Sequence, residues 1–348
     1  MTVQRHWYEN DSRFIPAHFQ PALLLDLGLI RGVDCHRLLR GTALFSEDIL
    51  QQRIVISPRQ YAQLGINLQR LLDSSDTAFL VGQRLLPGHY GAFSEVLRHT
   101  HNLHQMLDYL IAYRAVLFPL LTPRLVLDDH HAYLYWIDAS GVGDQARFWL
   151  ECAMTAVHAL SRARAGEKLP WECWFSFPQP RYVEQYWLHL GERVRFDRHV
   201  NLMRVPREYL VKPWTGGVTL AGQIARSEAD QQMLRWGLHA GFLDLLTEQL
   251  QSHIRTGVRL EQAAQWFEMS PATFKRILKK HDTSFQEQLD NVRKHTALYL
   301  FQVKGFSNDE VAAYLNFHDS TNFRRSFKRW TGCTPSEIRL DVATGHSS

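Results

Sequence analysis

Cysteine is scarce. The chain has four in 348 residues, Cys35, Cys152, Cys173 and Cys333, with no CxxC pair and no Cys/His ligand spacing. A disulfide framework and a zinc site are therefore not expected, and a reducing cytoplasm is the default compartment. No window approaches roughly 18 uninterrupted apolar residues, so no membrane-spanning helix is expected. The opening ten residues carry Arg5, His6 and Glu9 and lack the apolar run of a signal peptide. The GxSxG, P-loop, HExxH and GxGxxG motifs are all missing, which removes the commonest hydrolase, nucleotide and zinc-protease signatures. One-sided charge is missing too: 39 Lys and Arg against 35 Asp and Glu give +4, too mild to announce a polyanion partner.

What is present is ordinary globular matter, 45% hydrophobic and 12% aromatic. That rules out a disordered or low-complexity chain, and the length suits two domains. Up to about Trp214, helical and strand patterns alternate. Residues 60–72 and 103–117 space apolar side chains at three and four, as amphipathic helices do. Arg124–Leu127 and His131–Asp138 read as strands around a Leu127-Asp128-Asp129-His130 turn. Residues 171–177 and 201–205 are further strands, and 143–164 is a helix. An α+β domain over 1–214 is expected. Lys212-Pro213-Trp214-Thr215-Gly216-Gly217 breaks the pattern, and from Leu220 onward the chain reads as helix after helix: 215–240 connects, 241–341 is an all-helical domain, and 342–348 is a tail.

A repeat dominates the helical part. Thr273–Lys280 (TFKRILKK) lines up with Asn322–Arg329 (NFRRSFKR) at an offset of 49 residues. Upstream of each lies a short helix with an alanine at the expected crossing, Ala264 and Ala312, where a small side chain lets two helix axes approach. Met269 and Phe317 are apolar turn residues that can fill the space between helices. Ser270 before Pro271, and Asp319 before Ser320, are N-caps. Each copy is a helix-turn-helix unit.

The second helices, 271–281 and 320–330, carry the chemistry. Phe274, Ile277 and Leu278 share one face of the first, leaving Lys275, Arg276, Lys279 and Lys280 outside. Phe323, Phe327 and Trp330 do the same in the second, leaving Arg324, Arg325, Lys328 and Arg329. Neither helix holds an acid, although residues 256–348 as a whole carry 13 Lys and Arg against 10 Asp and Glu. Cations so concentrated suit phosphate neutralisation, and guanidiniums can read guanine edges. A single basic helix would usually be a solvated face; a duplicated unit with matched caps and charges points to double-stranded DNA. Residues 285–302 form the linking helix, about 27 Å long, which can set the two reading helices near one DNA turn apart.

These stretches, with Thr283-Ser284-Phe285-Gln286 and the closing FKRWTG-x-TPSEIR of residues 327–339, resemble the AraC/XylS family of bacterial transcription regulators. The resemblance implies a sequence-specific, effector-responsive regulator, commonly an activator that contacts RNA polymerase although repression is equally compatible with the sequence, with no cofactor and a nucleoid-associated place in the cytoplasm. Carried over by position, it implies base-facing roles for Ala272, Lys275, Arg276 and Lys279, then Ser320, Thr321, Arg324 and Arg325. Lys280 and Lys328 complete the DNA-contacting set. The family usually has Gly where this chain has Glu268 and Asn316. Asn tolerates the left-handed conformation and Glu does so poorly, so an adjusted first turn is expected.

Asp26-Leu27-Gly28-Leu29, Leu38-Leu39-Arg40-Gly41-Thr42 and Leu86-Pro87-Gly88-His89-Tyr90-Gly91 are similar to the so-called arabinose-binding sensor of such regulators. This implies a small-molecule effector pocket and contacts with a second copy. Tyr133, Tyr135, Trp136 and Trp174 are the nominated effector contacts, in a pocket of roughly 300–1,000 Å³ walled by their strands. Core packing accounts for most of the remaining aromatics. His99, His101, His104, His130 and His131 read as solvated or capping rather than metal-binding, and the Asp128-Asp129 pair as a turn. An enzyme fused to the DNA-binding part, as in AraC-like alkyl-DNA repair proteins, would need a reactive-cysteine motif that is missing. A first domain serving dimerisation alone is the remaining alternative.

Overall fold

The computed structural model describes residues 7–237 and 240–338. The nominated tail, 342–348, and Arg339 of the closing motif lie outside the described residues. The chain forms two compact units, Met1–Phe242 and Leu243–Ser348.

The first unit opens with β1 (Trp7–Tyr8), β2 (Ile15–Pro16), α1 (Gln20–Ile30), α2 (Cys35–Leu39), α3 (Ser46–Leu50) and β3 (Val55–Ile56). Then come α4 (Pro58–Leu72), α5 (Thr77–Leu85), α6 (Ala92–Arg98), α7 (Leu103–Ala112) and α8 (Arg114–Leu117). The hairpin of β4 (Leu121–Leu127) and β5 (His131–Asp138) leads to α9 (Ala146–Ala165), β6 (Glu172–Trp174), α10 (Val183–Leu190), β7 (Val194–Arg195) and β8 (Leu202–Pro206). Helix α11 (Thr219–Trp236) and β9 (Ala240–Gly241) close it. The main sheet runs β4-β5-β8-β6-β7, antiparallel except for the β6–β7 pair. Helix and strand thus interleave as expected. The expected helix over 103–117 breaks into α7 and α8, and 215–240 holds a full helix. Helix α11 buries Ala225, Ala229 and Met233 along α6.

The Asp128 turn explains its carboxylate pair. Asp128 Oδ1 accepts from the backbone N–H of His130 and His131, and its Oδ2 accepts from the Tyr133 hydroxyl. Those donors hold its pKa below the usual carboxylate range despite burial.

Helix α9 is buried nearly all round, as a central core helix must be. It lies close against α5 because Gly82 has no side chain. A Cβ there would sit 2.5 Å from Thr155 Cβ and 2.6 Å from the Cys152 carbonyl oxygen. Gly82→Ala should therefore destabilise the protein by about 1–3 kcal/mol in urea unfolding, outweighing the gain of about 1 kcal/mol in helix propensity. An unchanged or raised midpoint would contradict this packing.

His158, also on α9, is buried, and its Nε2 has no hydrogen-bond partner among the described residues. Burial, then the charges of Lys168 and Arg162, push its pKa down to about 4. A folded-state pKa below the unfolded one means that the unfolded chain takes the proton first. Stability from keeping this imidazole neutral is complete above about pH 6.5 and is lost as pH falls towards 4, by up to about 3 kcal/mol. Urea unfolding at pH 7 and pH 4.5 should show a smaller acid loss for His158→Leu than for the natural chain; equal losses would exclude this origin.

The second unit is helical throughout its described part. It comprises α12 (Phe242–Ser252), α13 (Leu260–Trp266), α14 (Pro271–Lys280), α15 (Phe285–Gln302), α16 (Asn308–Tyr314) and α17 (Ser320–Thr331). Helices α13 and α14 form the first helix-turn-helix and α16 and α17 the second, with α15 packed on the latter pair. Its span, Phe285–Gln302, coincides with the expected linking helix, capped by Ser284 and Glu287 acting on each other's backbone N–H.

Candidate DNA-contacting surface

Each reading helix is fixed from below. Phe274, Ile277 and Leu278 are buried in α14, and Phe323 and Phe327 in α17. Ala264 and Ala312 are buried where the helices of each pair meet. Phe301 of α15 packs on Phe323 and Phe327 at ring distances of 5.9 and 5.4 Å. Ser270 Oγ accepts from the Thr273 N–H and Asp319 Oδ1 from the Asn322 N–H, so both helices start at the expected caps.

With the apolar faces spent, the cations face out. Ala272, Lys275, Arg276 and Lys279 are exposed on α14, and Thr321, Arg324, Arg325 and Lys328 on α17. Lys280 and Ser320 are half-buried at helix ends. The structure thus brings the nominated residues to two outward faces. Arg324 folds back along its own helix, with Nε 3.3 Å from the Ser320 carbonyl oxygen.

Three supports escaped the sequence reading. Arg329 is an ion-pair partner of Asp290 at 3.0 Å, tying α17 to α15. The Arg293 guanidinium lies 5.0 Å above the Phe317 ring, which also packs on Phe323 and Trp330. Arg255 lies 4.9 Å from the Tyr314 ring, and the Asn316 side chain occupies the space a Cβ on Gly257 would need. The contacts of Arg329, Arg293, Arg255 and Gly257 join residues 24–59 positions apart, beyond any local spacing rule.

The two turns match. Glu268 has φ +54° and Asn316 has φ +59°, both left-handed. The expected adjustment of the first turn does not occur: Met269 N–H donates to the Ala264 carbonyl as Phe317 N–H donates to Ala312. The hydrogen bonds keep the turn and Glu268 carries the strain, which is about 1–2 kcal/mol for a side-chain-bearing residue. Glu268→Gly should raise stability by about 1 kcal/mol and leave DNA affinity unchanged. A lower thermal midpoint would show that the turn is not strained.

The nominated effector residues divide between the two faces of the main sheet. Strand alternation puts Tyr133 and Tyr135 on one sheet face, and pairing through Arg204 and Leu202 brings Trp174 to the same face. Trp136 is buried on the other face, with Ala132 and Leu134. On the first face Glu172 accepts from Trp174 Nε1 at 2.6 Å and from Arg204 at 2.8 Å, and pairs with Arg195 at 2.8 Å. Those partners hold the Glu172 carboxyl below its ordinary pKa although burial opposes them. The Arg204 guanidinium covers the Trp174 ring at 4.9 Å. A cavity lies elsewhere, among Tyr61, Leu85, Leu117, Trp149 and Cys152, and its volume is about 20 Å³. That cavity admits about one water. Among the described residues no cluster of three or more metal-ligating side chains forms, and no helix is long and apolar enough to cross a membrane.

Residues 32–214 match the family described as the arabinose-binding domain of AraC transcription regulator, N-terminal. Residues 263–341 match a helix-turn-helix domain. The ornithine utilization regulator of Pseudomonas aeruginosa is 27% identical over 94% of this chain and 97% of its own. Escherichia coli K12 GadX, a helix-turn-helix transcriptional regulator, is 32% identical over 28% of this chain and 40% of its own. The crystal structure of the transcriptional regulator CdpR from Pseudomonas aeruginosa shares 19% identity, covering 92% of this chain and 98% of that one with a TM-score of 0.43. With a sensor-type family spanning more than half its length and two capped helix-turn-helix units after it, this chain belongs to the AraC-type DNA-binding transcription regulators.

Proposed function

We propose that the protein is an effector-responsive activator that reads two successive major grooves, one with α14 and one with α17. The observation that carries this reading is the pair of acid-free, outward cation faces, each on a helix whose other face is buried. Residues Lys275, Arg276 and Lys279, and Arg324 and Arg325 with Ala272, Ser320 and Thr321 beside them, are the base-facing set. Lys280 and Lys328 neutralise phosphate. RNA polymerase is the partner in activation. The effector acts by binding one arrangement of the first unit better than another, which shifts the DNA-competent population. The name of the relative matched along nearly its whole length makes ornithine the first effector to try.

The test is selection of a genomic operator by the full chain, followed by fluorescence anisotropy across salt. Affinity should fall steeply as salt rises, because each phosphate neutralised releases counterions. Arg276→Ala or Arg325→Ala should cost about 1–3 kcal/mol and relax preference at one base position, whereas Lys280→Ala should weaken all sequences alike. Salt-independent binding, or sequence-blind losses from all three, would overturn the two-groove reading. Ornithine that shifts neither melting temperature nor operator affinity would remove it as the effector.

A further inference from the structure

The two reading helices are joined to α15 in unlike ways. Residues 281–284 alone separate α14 from α15, and the joint is closed. The Thr283 N–H donates to the Leu278 carbonyl at 3.1 Å, and the Phe285 ring lies 6.5 Å from that of Phe274. Between α15 and α17 run residues 303–319, with α16 inside them. The place of α17 relative to α14 therefore depends on how α17 sits on α15.

Phe301 is the apolar part of that seat, packed on Phe323 and Phe327. Apolar contact is non-directional, so by itself it lets one helix swivel on the other. Two directional contacts lie further back along α15. Asp290 accepts from the Gln286 side-chain amide at 2.8 Å and, through its other oxygen, takes Arg329 of α17 at 3.0 Å. Arg293, one turn on, lays its guanidinium 5.0 Å above the Phe317 ring, in the turn that leads into α17. Asp290 and Arg293 are about 16 and 12 Å from Phe301 along the helix. At that radius a swivel of about 10° moves Asp290 by about 3 Å, enough to break its contact with Arg329.

Given the two-groove reading, on which this rests, we propose that Asp290 and Arg293 are positioning residues: they hold α17 in one orientation on α15 and so set which spacing between the two half-sites the protein accepts. One base pair added between half-sites moves the second by about 3.4 Å and turns it by about 35°, far more than either contact tolerates. Arg293 is built for orientation rather than cohesion. It is half-buried, its Nε has no hydrogen-bond partner among the described residues, and burial lowers its pKa while Asp290 opposes the fall. A leucine would cover Phe317 without desolvating a charge, and apolar replacement of such groups is often neutral or stabilising. What an apolar side chain lacks is direction. A guanidinium over a ring and a carboxylate facing a guanidinium each favour one geometry.

The test is fluorescence anisotropy of the full chain on the selected operator and on duplexes with one base pair added or removed. The change is made between the base positions that Arg276→Ala and Arg325→Ala relax. The natural chain should bind the altered duplexes about thirtyfold or more weakly. Asp290→Asn with Arg293→Leu should cut that ratio about fivefold, and Asp290→Asn alone, isosteric and at a surface ion pair, about twofold. Asp290→Glu and Arg293→Lys, which keep the ion pair and the cation, should leave the ratio as it is. A lost phosphate contact or a loosened fold lowers affinity for every duplex alike and does not move the ratio. A natural chain indifferent to spacing overturns the proposal together with the two-groove reading. A natural chain that discriminates, with variants that discriminate equally, overturns the proposal alone.

Discussion

Everything that can be read on the DNA-facing side depends on burying one face of two short helices. A ten-residue helix is marginal alone, so α14 and α17 exist because Phe274, Ile277 and Leu278, and Phe323 and Phe327, are removed from water. Once those side chains are fixed inwards, the helical period leaves the intervening cations no direction but out. The caps set where each helix begins, the turns at Glu268 and Asn316 set its direction, and the alanines set its distance from the supporting helix.

That chain of constraints explains why the second unit was legible. Caps, apolar period and turn residues are all local, so the repeat displayed them at matching offsets. The linking helix followed from period alone and coincides with α15. The pairing of Arg329 with Asp290 did not, because 39 residues separate the partners and no periodic rule connects helices that meet only in space. The same limit hid Arg293 over Phe317 and Gly257 against Asn316. Glu268 shows a different failure. A residue-by-residue propensity argued for an altered turn, but two backbone hydrogen bonds and the packed helices outweighed about 1–2 kcal/mol of left-handed strain.

The first unit was legible in its strands and not in its faces. The β4–β5 hairpin followed from alternation and its Asp128 turn, but a run such as Ala132-Tyr133-Leu134-Tyr135-Trp136 is apolar or aromatic at every position. Such a run does not say which side meets the core. Small and aliphatic Ala132 and Leu134 went inwards with Trp136, and the tyrosines went outwards with their hydroxyls. Trp174 found a different partnership: a carboxylate for its indole N–H and guanidiniums for its ring. Most of the aromatics were expected in the core; of the four nominated for an effector, Trp136 lies on the buried face and Tyr133, Tyr135 and Trp174 on the face that carries Glu172 and Arg204.

Placement of the acids is the last constraint on the cationic helices. Four like charges on ten to twelve residues repel, and burying a neutralising acid among them would remove the repulsion along with the affinity for phosphate. The chain offsets the repulsion by other means. Lys279 and Lys280, and Lys328 and Arg329, sit in the last helical turn, where the negative end of the helix dipole favours cations. The one acid brought to α17 from α15, Asp290, takes Arg329 at the edge of the outward face and leaves Arg324, Arg325 and Lys328 exposed. An ion pair at that edge anchors the helix to its support and leaves those three cations facing outward. The same carboxylate set one turn along α17 would take a cation out of the outward face instead of one at its edge.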